Sequence, residues 1–381
     1  MGLLAVVIRC LSALMSLFPL HDRVVFLSRQ ASTLSLDYRM LVDELRARLP
    51  RERVLICLAA PETQGVVRFA FNMLAQLWYS RTSKVCIVDG YSPVVSIPPA
   101  RRGRTVIQLW HALGAVKKFG LQALDTPSGR TSKQAQVGCM HQKYDIIVAA
   151  GPGAAPAYAE AFGYAQDVVV ATGLPRMDYL LDPAPCASRR QAAEKLAAAH
   201  PFFEDSRRNV VYAPTFRKGT GDDAWLTRYL DGLARAFEGA GVNLIITGHP
   251  LQKGFDEELL TRYEHLCYVP GASTIDLLEL ADCVITDYSA VAFEAAIKGV
   301  GVYFYVPDID EYRVSPGLNI DPVLAFGGVA STSAEDLAAK VMAGFEGARD
   351  DAFDRFADAY FAGVAFGSTS RLTDLVCQRL A

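Results

Sequence analysis

Short apolar runs alternate with stretches of helical spacing along most of the chain. Val24 to Leu27 predicts a strand, and Tyr38 to Leu49, with Leu41, Leu45 and Leu49 on one face, predicts a helix. The pattern continues with a strand at Val54 to Leu58, a helix at Val67 to Trp78, and strands at Val85 to Val88, Val106 to Leu109, Ile146 to Ala149 and Val168 to Ala171. After Asp182-Pro183-Ala184-Pro185 the chain turns into a charged, alanine-rich helix, Arg189 to Ala199, which places a linker there. A second series then follows. It has strands at Val210 to Tyr212, Asn243 to Thr247 and Leu266 to Tyr268, and helices at Ala224 to Glu238, Phe255 to Tyr263 and Ile275 to Leu280. Helices at Ala334 to Glu346 and Ala352 to Phe361 close the series. Short apolar strands separated by helices are covered on both faces, as in a parallel sheet. The expected fold class is α/β, with two Rossmann-type domains at 21–185 and 186–381 whose parallel sheets face across a cleft, preceded by an apolar helix at 1–20.

The stretch Asp282 to Val306 condenses this pattern into one unit. A strand (Cys283 to Ile285) leads into Thr286-Asp287-Tyr288-Ser289, then a helix (Ala290 to Lys298), a Gly299 stop and a further strand (Val302 to Val306). Parallel sheets bind ligands at the carboxyl ends of their strands, where Thr286 to Ser289 falls. A helix beginning at Ser289 carries Ala292 three positions on, so no capping box fills its first amide donors, and those donors with the helix dipole make an anion site. The same residues also suit a plain helix cap built on Asp287 or Ser289.

Composition narrows the class. With 51% hydrophobic and 21% charged residues the chain can build a large core, and a net charge of −3 excludes a protein that holds nucleic acid mainly through its overall field. The eight cysteines lack any C-x-x-C, several lie in apolar runs, and the six histidines lack metal-ligand spacing. Packed, reduced thiols in a cytoplasmic protein are expected, not a disulfide framework or a zinc site. Gly2 to Leu20 is almost wholly apolar but has no positive leading region, and Arg9 interrupts it, which argues against a cleaved signal or a spanning anchor. In helical register Arg9, Ser12 and Ser16 form a narrow polar face, so the helix either lies in a membrane interface or packs on the protein's own body.

Polar clusters leave several strands. Gln108-Leu109-Trp110-His111, followed by Lys117 and Lys118, puts a histidine where proton transfer near neutral pH can occur, or where it is simply bonded inside the domain. Gly173-Leu174-Pro175-Arg176-Met177-Asp178 offers an arginine that can fork onto a phosphate or pair with Asp178. Tyr212-Ala213-Pro214-Thr215-Phe216-Arg217 and Thr247-Gly248-His249-Pro250 end strands in the second half. With the turn at Ser289, these describe a cleft for an anionic ligand.

In this order the clusters, together with Ile275-Asp276-Leu277-Leu278, Ile285 to Val291, Glu294 and Asp310-Glu311-Tyr312-Arg313, resemble the CDP-glycerol glycerophosphotransferase family of teichoic-acid synthesis, from about Val24 to Arg313. The resemblance implies a GT-B-like pair of Rossmann domains that transfers a polyol phosphate, glycerol phosphate first, from a CDP-activated donor to a hydroxyl of a prenyl-diphosphate-linked saccharide acceptor, releasing CMP. It further implies His111 and His249 as catalytic residues, His111 being the base. Thr215, Arg217, Asp287, Ser289, Ala290 and Glu294 are then donor-binding, and Lys117, Arg176 and Asp178 line the acceptor side. Ala112, Met177 and Ala290 depart from the usual family residues and leave the polyol open, CDP-ribitol being the second candidate donor. The short length suits a member that adds one or a few units. No D-x-D pair ends a strand, so no obligatory metal is expected, and Mg²⁺ assistance stays open. Basic groups at Arg46, Arg48, Arg51 and Arg53, and at Arg101, Arg102 and Arg104 with Lys117 and Lys118, suit either solvated loops or anionic headgroups. A peripheral place on the cytoplasmic face of the membrane follows from the resemblance and the apolar start. Two rivals share these features: a nucleotide-sugar glycosyltransferase, and a non-catalytic nucleotide-binding protein.

Overall fold

The computed structural model describes residues 2–59, 65–181, 186–215, 217, 224–247, 257–364 and 366–381. It resolves into two units, Met1–Leu113 with Lys118–Asp178 and Phe361–Ala381, and Gly114–Lys117 with Tyr179–Tyr360. The first contains β1 (His21–Ser28), β2 (Val54–Leu58), β3 (Ser83–Val88), β4 (Thr105–Gln108), β5 (Ile146–Val148) and β6 (Val169–Val170). The second contains β7 (Arg208–Ala213), β8 (Val242–Ile246), β9 (Leu266–Tyr268), β10 (Cys283–Thr286), β11 (Gly301–Tyr305) and β12 (Ala330–Ser331). Each set forms one parallel sheet, in the orders β2-β1-β3-β4-β5-β6 and β12-β11-β10-β7-β8-β9. The α/β class with two Rossmann-type sheets is therefore as the alternation predicts. Val24 to Leu27, Val210 to Tyr212 and Val242 to Ile246 are buried, as central strands covered on both faces must be.

Strand order positions the sites. In the first sheet the chain places β2 on one side of β1 and β3 on the other, so the order reverses between β1 and β3. In the second it reverses between β7 and β10. Neighbouring strands whose helices leave in opposite directions open a crevice at their carboxyl ends, where doubly wound folds bind ligands.

The division differs from the expected one. The first unit gives way at Asp178, the linker Asp182 to Pro185 lies outside the described residues, and Phe361–Ala381 returns to the first unit. The return has a clear cause. The helix Ser368–Leu380 buries Leu372, Val376 and Leu380, and the carboxylate of Asp178 accepts its leading amides, from Gly367 (2.8 Å), Ser368 (2.9 Å) and Thr369 (2.7 Å). Those amides have no partner within the helix, and a carboxylate there also meets the positive end of its dipole.

The apolar start forms the helix Gly2–Met15, part of the first unit. Ala5, Ile8 and Ser12 face inward, and Oγ of Ser16 accepts from Arg81 at 3.0 and 2.7 Å. The serines of the expected polar face thus point to the protein, because Arg81 is buried there and needs acceptors. The outward face is apolar: Leu3, Leu4, Val6, Val7 and Leu14 are exposed, as are Leu17 and Phe18 beyond it. Val67, Phe71 and Leu74 of the neighbouring helix Val66–Thr82 are exposed too. No helix among the described residues is long and apolar enough to cross a membrane.

Candidate functional site

Adjacent parallel strands bring their carboxyl ends together, and β7, β10 and β11 do so in the second unit. Thr215 and Arg217 follow β7, Asp287 to Ala290 follow β10, and Asp308 follows β11. Both the amide (2.8 Å) and the hydroxyl (2.6 Å) of Thr215 donate to Oδ1 of Asp287, which also accepts the amide of Tyr288 at 2.5 Å. Arg217 lies 3.6 Å from Oδ2 of Asp287 and hydrogen-bonds Asp308, to which the Tyr288 hydroxyl also donates at 3.1 Å. Its guanidinium stands 4.0 Å from the centre of the Trp225 ring and 5.1 Å from that of Tyr312, which stacks on Tyr288 at 3.8 Å. Burial opposes the charge on Arg217, but Tyr312 and the two carboxylates outweigh it and raise its pKa. Burial raises the pKa of Asp287 against the pull of Thr215 and Arg217. Thr215, Arg217 and Asp287, expected as ligands of a diphosphate, are thus brought together as partners of one another. Sequence reading missed Asp308 and Trp225, and named Tyr288 and Tyr312 within their motifs without giving either a role. Of the two missed residues only Asp308 left a usable signal, an acid just past an apolar strand.

The helix after β10 runs Val291–Lys298, with Ala290 at its N-cap and no side-chain cap bond. Oγ of Ser289 accepts the Val291 amide only at 3.4 Å, and the amides of Ser289 and Ala290 donate to nothing among the described residues. The helix start thus combines one long contact from Ser289 with amides at Ser289 and Ala290 that have no partner among the described residues. Asp287 is instead occupied by Thr215 and Tyr288. Glu294, on this helix, is 8% exposed. Lys117, expected in the first domain, belongs to this unit: it bridges to Leu318, and Asn319 and Ile320 donate to the carbonyl of Val116 at 2.8 and 3.1 Å. His249 lies outside the described residues; Thr247, at the end of β8, bonds the Ala272 carbonyl at 2.8 Å.

In the first unit His111 follows β4. The chain turns sharply at Trp110, whose φ of 59° is left-handed, and the amide of Trp110 donates to the Gln108 side chain at 3.0 Å. Trp110 stacks on Phe119 at 5.0 Å and meets Phe162 edge-on at 5.2 Å, contacts that hold a conformation a bulky residue rarely adopts. Nδ1 of His111 lies 2.9 Å from the carbonyl of Asp89. A carbonyl only accepts, so Nδ1 carries the proton and Nε2 keeps its lone pair, as a base requires. The residue is solvent-exposed, yet desolvation by the surrounding chain lowers its pKa; the Asp89 carbonyl works against this and Arg176 with it. Asp89, at the β1–β3 reversal, has its carboxyl pushed up to about 6 by burial, against a hydrogen bond from Ser28.

Arg176 binds Asp37, through its amide (2.8 Å) and its guanidinium (2.8 and 2.5 Å), instead of Asp178. Asp178 is taken by the C-terminal helix, which leaves neither residue's charge as the sequence pictured it. The basic groups disperse likewise: Arg48 pairs with Glu44 and Asp374, and Arg101 and Arg104 bond the carbonyls of Phe18 and Ser80. No group of His, Cys, Asp and Glu fit for a metal occurs among the described residues.

A family model described as CDP-glycerol:poly(glycerophosphate) glycerophosphotransferase matches residues 12–378. A teichoic acid ribitol-phosphate primase of Bacillus spizizenii is 29% identical over 82% of this chain and 79% of its own. A teichoic acid glycerol-phosphate primase of Bacillus subtilis is 26% identical over 72% of this chain and 69% of its own. Among solved structures, the wall teichoic acid polymerase TagF superposes with a TM-score of 0.73 at 17% identity, covering 98% of this chain and 93% of that one. A UDP-GlcNAc 2-epimerase from Neisseria meningitidis gives 0.56 at 11% identity, over 94% and 99%. Both structural likenesses are of fold.

Proposed function

This chain belongs to the CDP-glycerol:poly(glycerophosphate) glycerophosphotransferase family, and from that premise we propose that it primes a cell-surface polymer by moving a polyol phosphate from a CDP-activated donor to a lipid-linked acceptor. The observation that carries this reading is the second unit's strand-order reversal. There, open amides at Ser289 and Ala290 head the helix Val291–Lys298 beside the locked Thr215–Asp287–Arg217 cluster. Helix starts of this kind hold phosphate, and phosphoryl transfer depends mainly on placing fixed dipoles and charges against developing negative charge. The donor's diphosphate sits on these amides, and Glu294 takes a ribose hydroxyl.

His111 is the base. Its Nε2 removes the proton of the acceptor hydroxyl, the freed oxygen attacks the phosphorus nearer the polyol, the bond to the bridging oxygen breaks, and CMP leaves with that electron pair. His249 supports the leaving phosphate. Glycerol phosphate is the first unit considered. The match to a ribitol-phosphate primase favours ribitol phosphate as the second.

The acceptor is a prenyl-linked saccharide on the cytoplasmic face of the membrane, reached by peripheral attachment through the outward apolar faces of helices Gly2–Met15 and Val66–Thr82. Incubating the purified protein with CDP-glycerol or CDP-ribitol and a prenyl-diphosphate-linked disaccharide, then weighing the products, decides the reading. Release of CMP with a polyol-phosphate mass gain supports it. A nucleoside diphosphate released from a sugar donor, with no CMP from either CDP-polyol, overturns it.

A further inference from the structure

Residues Gly114–Lys117 leave the first unit's sequence and are built into the second as a short strap. Lys117 bridges to Leu318, the Asn319 side chain donates to the Lys117 carbonyl at 3.3 Å, and the amides of Asn319 and Ile320 bond Val116. Gly114 lies so close to Phe293 of the helix Val291–Lys298 that an added Cβ would stand 2.2 Å from the ring, so the strap crosses that helix near its start. Four contacts to residues 318–320 and one close approach that only glycine permits fix where the Lys117 backbone goes.

The charges of the cluster beside it divide unequally. Arg217 is matched by Asp287 and Asp308, and the inner acceptors of Asp287 are filled by Thr215 and Tyr288. Lys117 is half-buried and makes no ion pair within 4 Å and no side-chain hydrogen bond among the described residues. Its pKa agrees with that placement, lowered by desolvation, with Asp287 raising it and Arg217 lowering it further. A half-buried ammonium with no partner among the described residues is a site for an anion.

We infer that Lys117 is a donor-binding residue that meets the diphosphate of the CDP-activated substrate, while Arg217 positions the cluster and touches no substrate. This rests on the donor reading given above and departs from the roles that the resemblance implied for the two cations. A lysine delivers a compact charge to a phosphate without needing the planar fork of an arginine already held by two carboxylates.

The test is calorimetric binding of CDP to the full chain as wild type, Lys117→Met and Lys117→Arg, with melting temperature recorded for each. Expected is at least tenfold weaker binding for Lys117→Met, partial recovery in Lys117→Arg, and an unchanged melting temperature in both. CDP binding to Lys117→Met at wild-type strength overturns the assignment, as does a wild type that does not bind CDP. If either lysine variant melts early, pyrophosphate inhibition of CDP binding decides instead: wild type must show it at lower pyrophosphate than Lys117→Arg, and equal inhibition counts against the inference. Because CDP binding is read apart from turnover, failure of polyol transfer with these differences intact would sink the transferase reading and leave Lys117 standing.

Discussion

Nδ1 of His111 donates to the Asp89 carbonyl, and desolvation, aided by Arg176, holds its pKa below the ordinary histidine value of about 6.5. A base acts in its neutral form, so kcat/KM for CMP release should be flat at neutral pH and fall on acidification with a midpoint below about 6.5. A midpoint above 7 in the pH profile contradicts the assignment. His111→Ala should lower turnover by roughly 10²- to 10⁴-fold while CDP binding is kept. Two other titrating groups act on stability with opposite signs. His141, buried in the aromatic cluster with Tyr144 and Phe162, has its pKa lowered by desolvation to about 3, so the unfolded chain binds more protons and stability rises with pH from about 3 to 6.5. Asp89 is raised to about 6, so the folded chain binds more protons and stability falls as pH rises from about 4 to 6. Between pH 4 and 6 these slopes oppose each other, each up to about 1.4 kcal/mol per pH unit. Asp89→Asn should steepen the rise of denaturant-measured stability with pH there, and His141→Phe should flatten or reverse it. Unchanged slopes in both variants would refute this. At this scale His111 was legible because it directly follows a strand. The partners of Thr215 and Arg217 were not, since Asp287 and Asp308 come near only through the order β7-β10-β11, which local spacing does not encode.

Among the elements, β2 and β9 coincide with the apolar runs that predicted them, and most others agree to within a few residues. Central strands write themselves as continuous apolar runs, so they are the easiest elements to read. The helix Ser368–Leu380 left a weaker trace. Leu372, Val376 and Leu380 recur every four positions, but polar residues dominate between them, and nothing local says that the stripe belongs to the first sheet's unit. What assigns it is Asp178, far away in sequence, acting as its cap. Asp178→Ala therefore removes the acceptor of three helix-start amides and should destabilise the first unit by about 2 kcal/mol. The helix should exchange its leading amide hydrogens faster, while kcat/KM per folded molecule stays at the wild-type value. A large loss of kcat/KM with stability intact would instead place Asp178 among the substrate-binding residues, as the family resemblance implied.

For the whole molecule, most of the exposed large apolar side chains gather in one region. Of the exposed large hydrophobics, Leu3, Leu4, Val6, Val7, Leu14, Leu17, Phe18, Val67, Phe71 and Leu74 lie on the N-terminal helix, the residues after it, and the helix it packs against. An exposed apolar surface of that kind marks an interaction site. Ser12 is buried and Ser16 accepts from the buried Arg81, and with that side of the segment turned inward the leucines are left outside. A lipid interface suits this surface, since an amphipathic helix with its apolar side outward lies in the headgroup boundary without spanning it. Deleting residues 2–18 would strip Arg81 of one of its acceptors, the Ser16 hydroxyl, so point charges make the cleaner probe. Leu14→Glu with Phe71→Glu should leave CDP binding and melting temperature unchanged. Each large side chain buried in lipid contributes about 1.5–3 kcal/mol, so the pair should cut partitioning onto anionic liposomes by roughly a hundredfold or more. Partitioning equal to wild type in a sedimentation assay would remove the membrane role, and a shift of the wild type to dimer in solution, lost in the double variant, would assign the same surface to a second copy of the chain.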